Sequence, residues 1–97
     1  MTRYMTRVEL HENPYKPTAQ DYEKLHAAME AKGFARTIKS GDGILYKLPS
    51  AMYYGESTLT TAEVMKHASA AAKSVCGKCS VITSEAPNSA WEGLAKA

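Results

Sequence analysis

The chain predicts a small two-layer α+β domain. Three observations carry that expectation: a long alternating run near the N-terminus, two segments with helical apolar spacing behind capping residues, and a strong turn signal between two short β-prone runs.

The alternating run is Arg3 to His11. Tyr4, Thr6, Val8 and Leu10 fall on one face, and Arg3, Met5, Arg7, Glu9 and His11 on the other. Period-2 alternation of this length argues for a half-buried strand. The first face is the better core face. The second carries charge and is expected to meet solvent or a ligand.

Glu12 to Pro17 reads as a loop, marked by Asn13-Pro14 and Pro17. Thr18 is then an N-cap, with Asp21 three residues on in a capping-box-like arrangement. The helix is expected to run to about Lys32. Tyr22, Leu25, His26 and Met29 follow i, i+3, i+4, i+7 spacing and form its buried stripe. Gly33 stands where a left-handed C-cap is wanted.

Phe34 to Lys39 predicts a second strand. Ser40-Gly41-Asp42-Gly43 turns it into a third, Ile44 to Leu48, as a hairpin. Pro49 cannot donate to a ladder, so it marks a bulge, an edge or an end. Met52, Tyr53 and Tyr54 are read as continuing the third strand beyond that break. Thr60 and Glu63 form a second capping box, followed by a helix from Thr61 to about Val75. Val64, Ala68, Ala71, Ala72 and Val75 give it a narrow apolar stripe. Ser80 to Glu85 is the last strand. Trp91 and Leu94 are expected to pack back onto the domain, with residues 92–97 frayed.

The order is strand, helix, strand, strand, helix, strand. Helices that connect strands cover a sheet face, and crossovers are right-handed. The economical solution is a ferredoxin-like β-α-β-β-α-β sandwich: a four-stranded antiparallel sheet, both helices on one face, and strands one and three paired centrally. With 97 residues, the chain is expected to be one domain.

Composition narrows the function classes. Hydrophobic content of 44%, charged content of 23% and net charge +2 are ordinary globular values. A pI near 8.5 permits an anionic partner without demanding one. No apolar run approaches the ~20 residues of a bilayer span, and the alternating N-terminus does not read as a signal peptide. Two cysteines are too few for a disulfide scaffold. The expected compartment is the cytoplasm.

Four features could carry chemistry. On the outward face of the first strand, Arg7, Glu9 and His11 are successive same-face residues about 7 Å apart. Arginine holds phosphate bidentately, while Glu and His move protons. RNA cleavage needs those parts: a base for the 2′-OH, an acid for the leaving oxygen and cations for the phosphate. The bland alternative is a solvated sheet face. Next, Arg36, Lys39 and Lys47 on the second and third strands make a basic patch if they share the open face with Arg3 and Arg7. Open faces of this topology bind RNA by stacking bases on aromatics, here Tyr46, Tyr53 or Tyr54. The competing reading is a hairpin kept soluble by lysines, and Tyr46 could equally be core.

The Cys76-Gly77-Lys78-Cys79 motif follows a helix, whereas a redox thiolate wants a helix N-terminus. It also lacks the second ligand pair of a zinc site, so it reads as two turn cysteines. Finally, His26 on an apolar helical stripe reads as a packed, hydrogen-bonded residue. No metal or other cofactor is expected from these patterns.

The segments Tyr4 to His11, Tyr22 to Ile38, Tyr46 to Tyr54, the Thr60-x-x-Glu63 helix start and Ser80 to Glu85 together resemble a group of small uncharacterised bacterial proteins. More distantly they resemble the GhoS antitoxins of type V toxin–antitoxin systems. The likeness spans nearly the whole chain and rests on element order, length and a few positions, such as the Met29 to Phe34 helix exit. The Arg7-Val8-Glu9-Leu10-His11 run is not part of it. The resemblance implies a ferredoxin-like endoribonuclease that cleaves single-stranded messenger RNA. For such an activity the outward face of the first strand, and not the resemblance, supplies His11, Glu9 and Arg7 as catalytic candidates, with Arg3, Arg36, Lys39 and Lys47 as RNA ligands. The alternative is a non-catalytic binding module that dimerises through strand edges or the open sheet face.

Overall fold

The computed structural model describes residues 1–12 and 15–97. The expected Asn13-Pro14 turn therefore lies outside the described residues. The elements are β1 (Thr2–Leu10), α1 (Ala19–Ala31), β2 (Thr37–Lys39), β3 (Leu45–Lys47), β4 (Met52–Ser57), α2 (Thr61–Lys73) and β5 (Cys79–Glu85).

The alternation of β1 does what its pattern predicts. Tyr4, Thr6, Val8 and Leu10 are buried, while Arg3, Arg7 and Glu9 are exposed. β1 is the central strand, antiparallel to β4 on one side and to β5 on the other. Its inward face shares one core with Leu25 and Met29 of α1, Tyr53 of β4, and Val64, Ala68, Ala71 and Ala72 of α2. Burying a leucine or methionine stabilises by about 1.5–3 kcal/mol each. The small residues of α2 let that helix lie close to the sheet. The Tyr4 hydroxyl donates to the Leu59 carbonyl at 2.6 Å, and the Thr6 and Thr83 hydroxyls share a hydrogen bond at 2.8 Å. The polar atoms on the inward face are thereby satisfied.

Both helices begin at reciprocal capping boxes. Thr18 Oγ1 accepts from Asp21 N, and the Asp21 carboxylate accepts from Thr18 N; Thr60 and Glu63 repeat the exchange. α1 ends as its sequence requires. Gly33, at φ +86°, donates its N–H to the Glu30 carbonyl, and Phe34 N donates to Met29 O, both at 3.0 Å. This is a Schellman motif, with Phe34 and Met29 both in the core. Gly55 of β4 makes room for this exit, because a Cβ there would stand 3.2 Å from the Gly33 carbonyl oxygen.

The expected single four-stranded sheet is corrected in one respect. The third strand is not continuous through Pro49. Residues 45–47 pair with β2 in a separate two-stranded ladder, and residues 52–57 pair with β1. A tight turn divides them: Met52 N donates to Pro49 O at 3.1 Å, and Ala51 adopts a left-handed φ of +58°. Proline removes a ladder donor, and the turn re-aims the chain so that Ala51 O accepts from Val8 N at 3.0 Å. The two sheets touch through one reciprocal bridge, Ala35 N to Tyr54 O at 2.7 Å and Tyr54 N to Ala35 O at 2.8 Å.

The predicted hairpin is present. Ser40 and Ile44 close it, and Gly43 sits at φ +85°. The C-terminal segment was expected to fray, yet it lies along β3 as a further extended segment. Lys47 N donates to Ala95 O at 2.8 Å and Ala97 N to Leu45 O at 2.9 Å. Trp91 anchors it by packing on Tyr46, with ring centroids 5.7 Å apart. No helix among the described residues is long and apolar enough to cross a membrane.

Candidate functional site: the uncovered face of the sheet

The helices occupy one side of β4-β1-β5. The pleat sends Arg3, Met5, Arg7, Glu9 and His11 to the other side. The register adds Met52, Tyr54 and Glu56 from β4 and Ser80, Ile82 and Ser84 from β5. Arg7 stands between Met52 and Ile82, Met5 between Tyr54 and Ser84, and Arg3 opposite Glu56.

Two polar groups define the ends of this face. At one end the His11 imidazole shares a 2.6 Å hydrogen bond between Nε2 and Ser80 Oγ, while its Nδ1 is 3.9 Å from Glu9 Oε1. The longer distance is Coulombic contact, not a hydrogen bond. His11 and Glu9 are both open to solvent, at 43% and 69% side-chain exposure. At the other end the Tyr54 hydroxyl donates to Glu56 Oε1 at 3.0 Å, and Arg3 Nε lies 3.9 Å from the same oxygen. The Tyr54 phenol is raised above its ordinary pKa by burial and by the adjoining Glu56 carboxylate, which keeps it a donor.

The predicted RNA ligands separate into two groups. Arg3 and Lys39 line one cleft, beside the open face, between the hairpin and the 86–91 segment. Arg36 is on the opposite side of the pleat from Ala35, the residue that bridges to Tyr54. Its charge is felt instead by His26 and Tyr53 on the helix side. Lys47 stands on β3, paired with Thr37 and outside the cleft. The aromatics sort in the same way. Tyr53 is fully buried, Tyr46 packs on Trp91, and Tyr54 is the one of the three on the open face. Trp91 reaches the cleft as well. Its packing back onto the domain agrees with the expectation from sequence, which carries no site assignment for it. A lone tryptophan in a short polar tail is the signal that could have supplied one.

The Cys76–Cys79 motif sits behind the His11 end. The Cys76 thiol donates to the His11 and Lys78 carbonyls, each at 3.3 Å. Burial, with a smaller contribution from Cys76, pushes the Cys79 thiol pKa up, against the opposing effect of Lys73. That is the direction expected of a half-buried thiol that follows a helix. Among the described residues no three His, Cys, Asp or Glu side chains cluster as a metal site.

Fold and site together define a small α+β protein whose antiparallel sheet is covered on one face and carries Arg, Glu, His and Tyr on the other. No family model, curated protein or solved structure matches the chain.

Proposed function

We propose that the uncovered face binds single-stranded RNA, and that the chain is an endoribonuclease of the GhoS antitoxin type. The observation that carries this reading is the exit of Arg3, Arg7, Glu9 and His11 from β1 onto the one sheet face the helices leave open. Arg3 and Arg7, about 13 Å apart along the strand, can hold separate phosphates of one RNA strand, and Tyr54 offers a base a stacking surface. The strand order β5-β1-β4, extended by the Ala35–Tyr54 bridge, is compatible with a ferredoxin-like domain whose second strand has peeled into a hairpin.

In the chemistry this arrangement favours, Glu9 and His11 divide the proton transfers. One removes the 2′-OH proton. The freed oxygen attacks the adjacent phosphorus, and the bond to the 5′ oxygen breaks. The other group protonates that leaving oxygen, giving a 2′,3′-cyclic phosphate and a 5′-hydroxyl end. Arg7 neutralises charge on the phosphate. Ser80 holds the imidazole before substrate arrives. Neither group needs a metal for these transfers. The test is incubation of purified protein with end-labelled single-stranded RNAs in EDTA, wild type beside His11→Ala. Cleavage by the wild type and a loss of about 10²–10⁴-fold in the variant are expected. No cleavage of any RNA by the wild type counts against the enzymatic reading, and full activity in the variant removes His11 from it.

A second reading is favoured by one specific observation. Ile82 is 67% exposed at the middle of β5, directly opposite Arg7 and on the same face as Met5 and Met52. An apolar centre on an open sheet suits a non-catalytic module that pairs with a second copy face to face. Light scattering on wild type and Ile82→Lys separates the readings: a dimer broken by the substitution supports the module, and a monomeric wild type removes it.

A further inference from the structure

A cleft lies beside the open face, apart from the Glu9–His11 end. Its volume is about 470 Å³, within the roughly 300–1,000 Å³ typical of small-molecule sites. Three separate parts of the chain build it. The sheet contributes Arg3, Tyr54 and Glu56; the hairpin contributes Lys39; the C-terminal segment contributes Asn88 and Trp91.

Their chemistry is complementary in kind. Trp91 and Tyr54 are flat π surfaces, and Trp91 is fixed from behind by Tyr46. Lys39 and Arg3 supply positive charge. Glu56 and Asn88 supply acceptors and donors for the edge of a planar ring. A ligand that is aromatic, polar at its rim and anionic at one end uses all three kinds of group. We infer that this cleft is a mononucleotide subsite, taking one base against Trp91 and Tyr54 with its phosphate on Lys39 and Arg3. The inference deepens the RNA reading of the open face and rests on it for the choice of a nucleotide as ligand. In that frame the cleft fixes one nucleotide of the strand, and β1 carries the neighbouring phosphates towards His11.

The C-terminal segment gives the site its wall. Because that segment is held along β3 by the Ala95 and Ala97 backbone bonds and by Trp91 on Tyr46, the cleft exists before any ligand arrives. Preorganisation of this kind lowers the ordering cost of binding.

Trp91 is the chain's single tryptophan, so fluorescence excited at the red edge, beyond tyrosine absorption, reports on this cleft. The experiment is titration of the full chain with guanosine 5′-monophosphate, chosen because a carboxylate such as Glu56 accepts from guanine's donor edge. Inorganic phosphate is run as the control. Saturable quenching by the nucleotide and none by phosphate are expected. Lys39→Ala should weaken the nucleotide roughly tenfold through the lost charge-assisted bond, and Tyr54→Leu roughly fivefold or more through lost stacking. Circular dichroism melts verify that both variants are folded. No saturable change at millimolar nucleotide, or an affinity untouched by both substitutions, overturns the inference. Filter binding of single-stranded RNA to wild type and Arg7→Ala keeps the two proposals apart. RNA binding that depends on Arg7 beside a silent nucleotide titration sinks the cleft and spares the open face. Nucleotide quenching without RNA binding does the reverse.

Discussion

His26 and Tyr53 share a buried hydrogen bond, 2.6 Å from Nδ1 to the phenolic oxygen, that ties α1 to β4. Their rings are tilted 57° to each other with centroids 5.8 Å apart. His26 is held below its ordinary pKa, first by burial and then by the Arg36 guanidinium. Burial pushes the Tyr53 phenol up to about 12, so it stays protonated through the neutral range.

The lowered His26 pKa makes stability depend on pH in a definite direction. Unfolded, the imidazole takes up its proton near its ordinary value of about 6.5; folded, it does so only at lower pH. Below about 6.5 the unfolded state therefore binds more protons, and stability falls as pH falls. It levels off once the folded imidazole is also protonated. Urea midpoints measured from pH 7.5 down to 5 should decline below about 6.5, and His26→Gln should flatten that decline. A midpoint that rises on acidification over this range contradicts the assignment.

Tyr53→Phe keeps the ring and removes its hydroxyl, leaving a buried imidazole nitrogen without its partner. A loss of about 1–3 kcal/mol is expected, read as a lower urea midpoint with an unchanged slope.

Thr60→Ala removes the cap that accepts from Glu63 N. It should cost about 1 kcal/mol and lower the melting temperature without altering RNA binding, since α2 lies behind the sheet. The Glu63 carboxyl is held below its usual pKa by the Thr60 backbone and side chain, so the cap's contribution is present above the carboxylate range and fades as acid protonates Glu63.

The Cys79 thiol, pushed up chiefly by burial, should alkylate more slowly than a free thiol at pH 8 and accelerate only at higher pH. Iodoacetamide labelling followed by mass spectrometry reads this directly. Faster labelling than a model thiol would point to an activated cysteine and contradict the packing described for it.

Much of the helix-and-strand outline was legible because the signals were local. Period-2 alternation placed β1 and its two faces, Thr18 and Thr60 placed both helix starts, and Gly33 and Gly43 stood at positive φ where a helix end and a hairpin wanted them. The break after Leu48 was visible as Pro49, but its consequence was not. The turn depends on Ala51 at φ +58°, and alanine gives no sign of a left-handed position. The C-terminal segment was illegible for a similar reason. Ala95 and Ala97 carry no β signal and are held by backbone bonds to β3. Tyr53 and Tyr54 show where register decides. The two are neighbours in sequence, yet Tyr53 opposes buried Thr6 and Tyr54 opposes Met5 on the open side. The candidate site followed the same division: Arg3, Arg7, Glu9 and His11 share the face their alternation assigned, whereas Arg36 and Lys47 depended on how a separate hairpin was set against the sheet.

The most direct test of the central claim is to map single-stranded RNA onto the protein by amide chemical shifts. Titration of ¹⁵N-labelled chain with a short unstructured RNA should move the amides of Arg3, Met5, Arg7, Glu9, Tyr54 and Ile82 while those of α2 stay fixed, and Arg7→Ala should reduce the salt slope of binding by about 0.7. Shifts confined to the helix layer, or none at all at saturating RNA, would contradict the account.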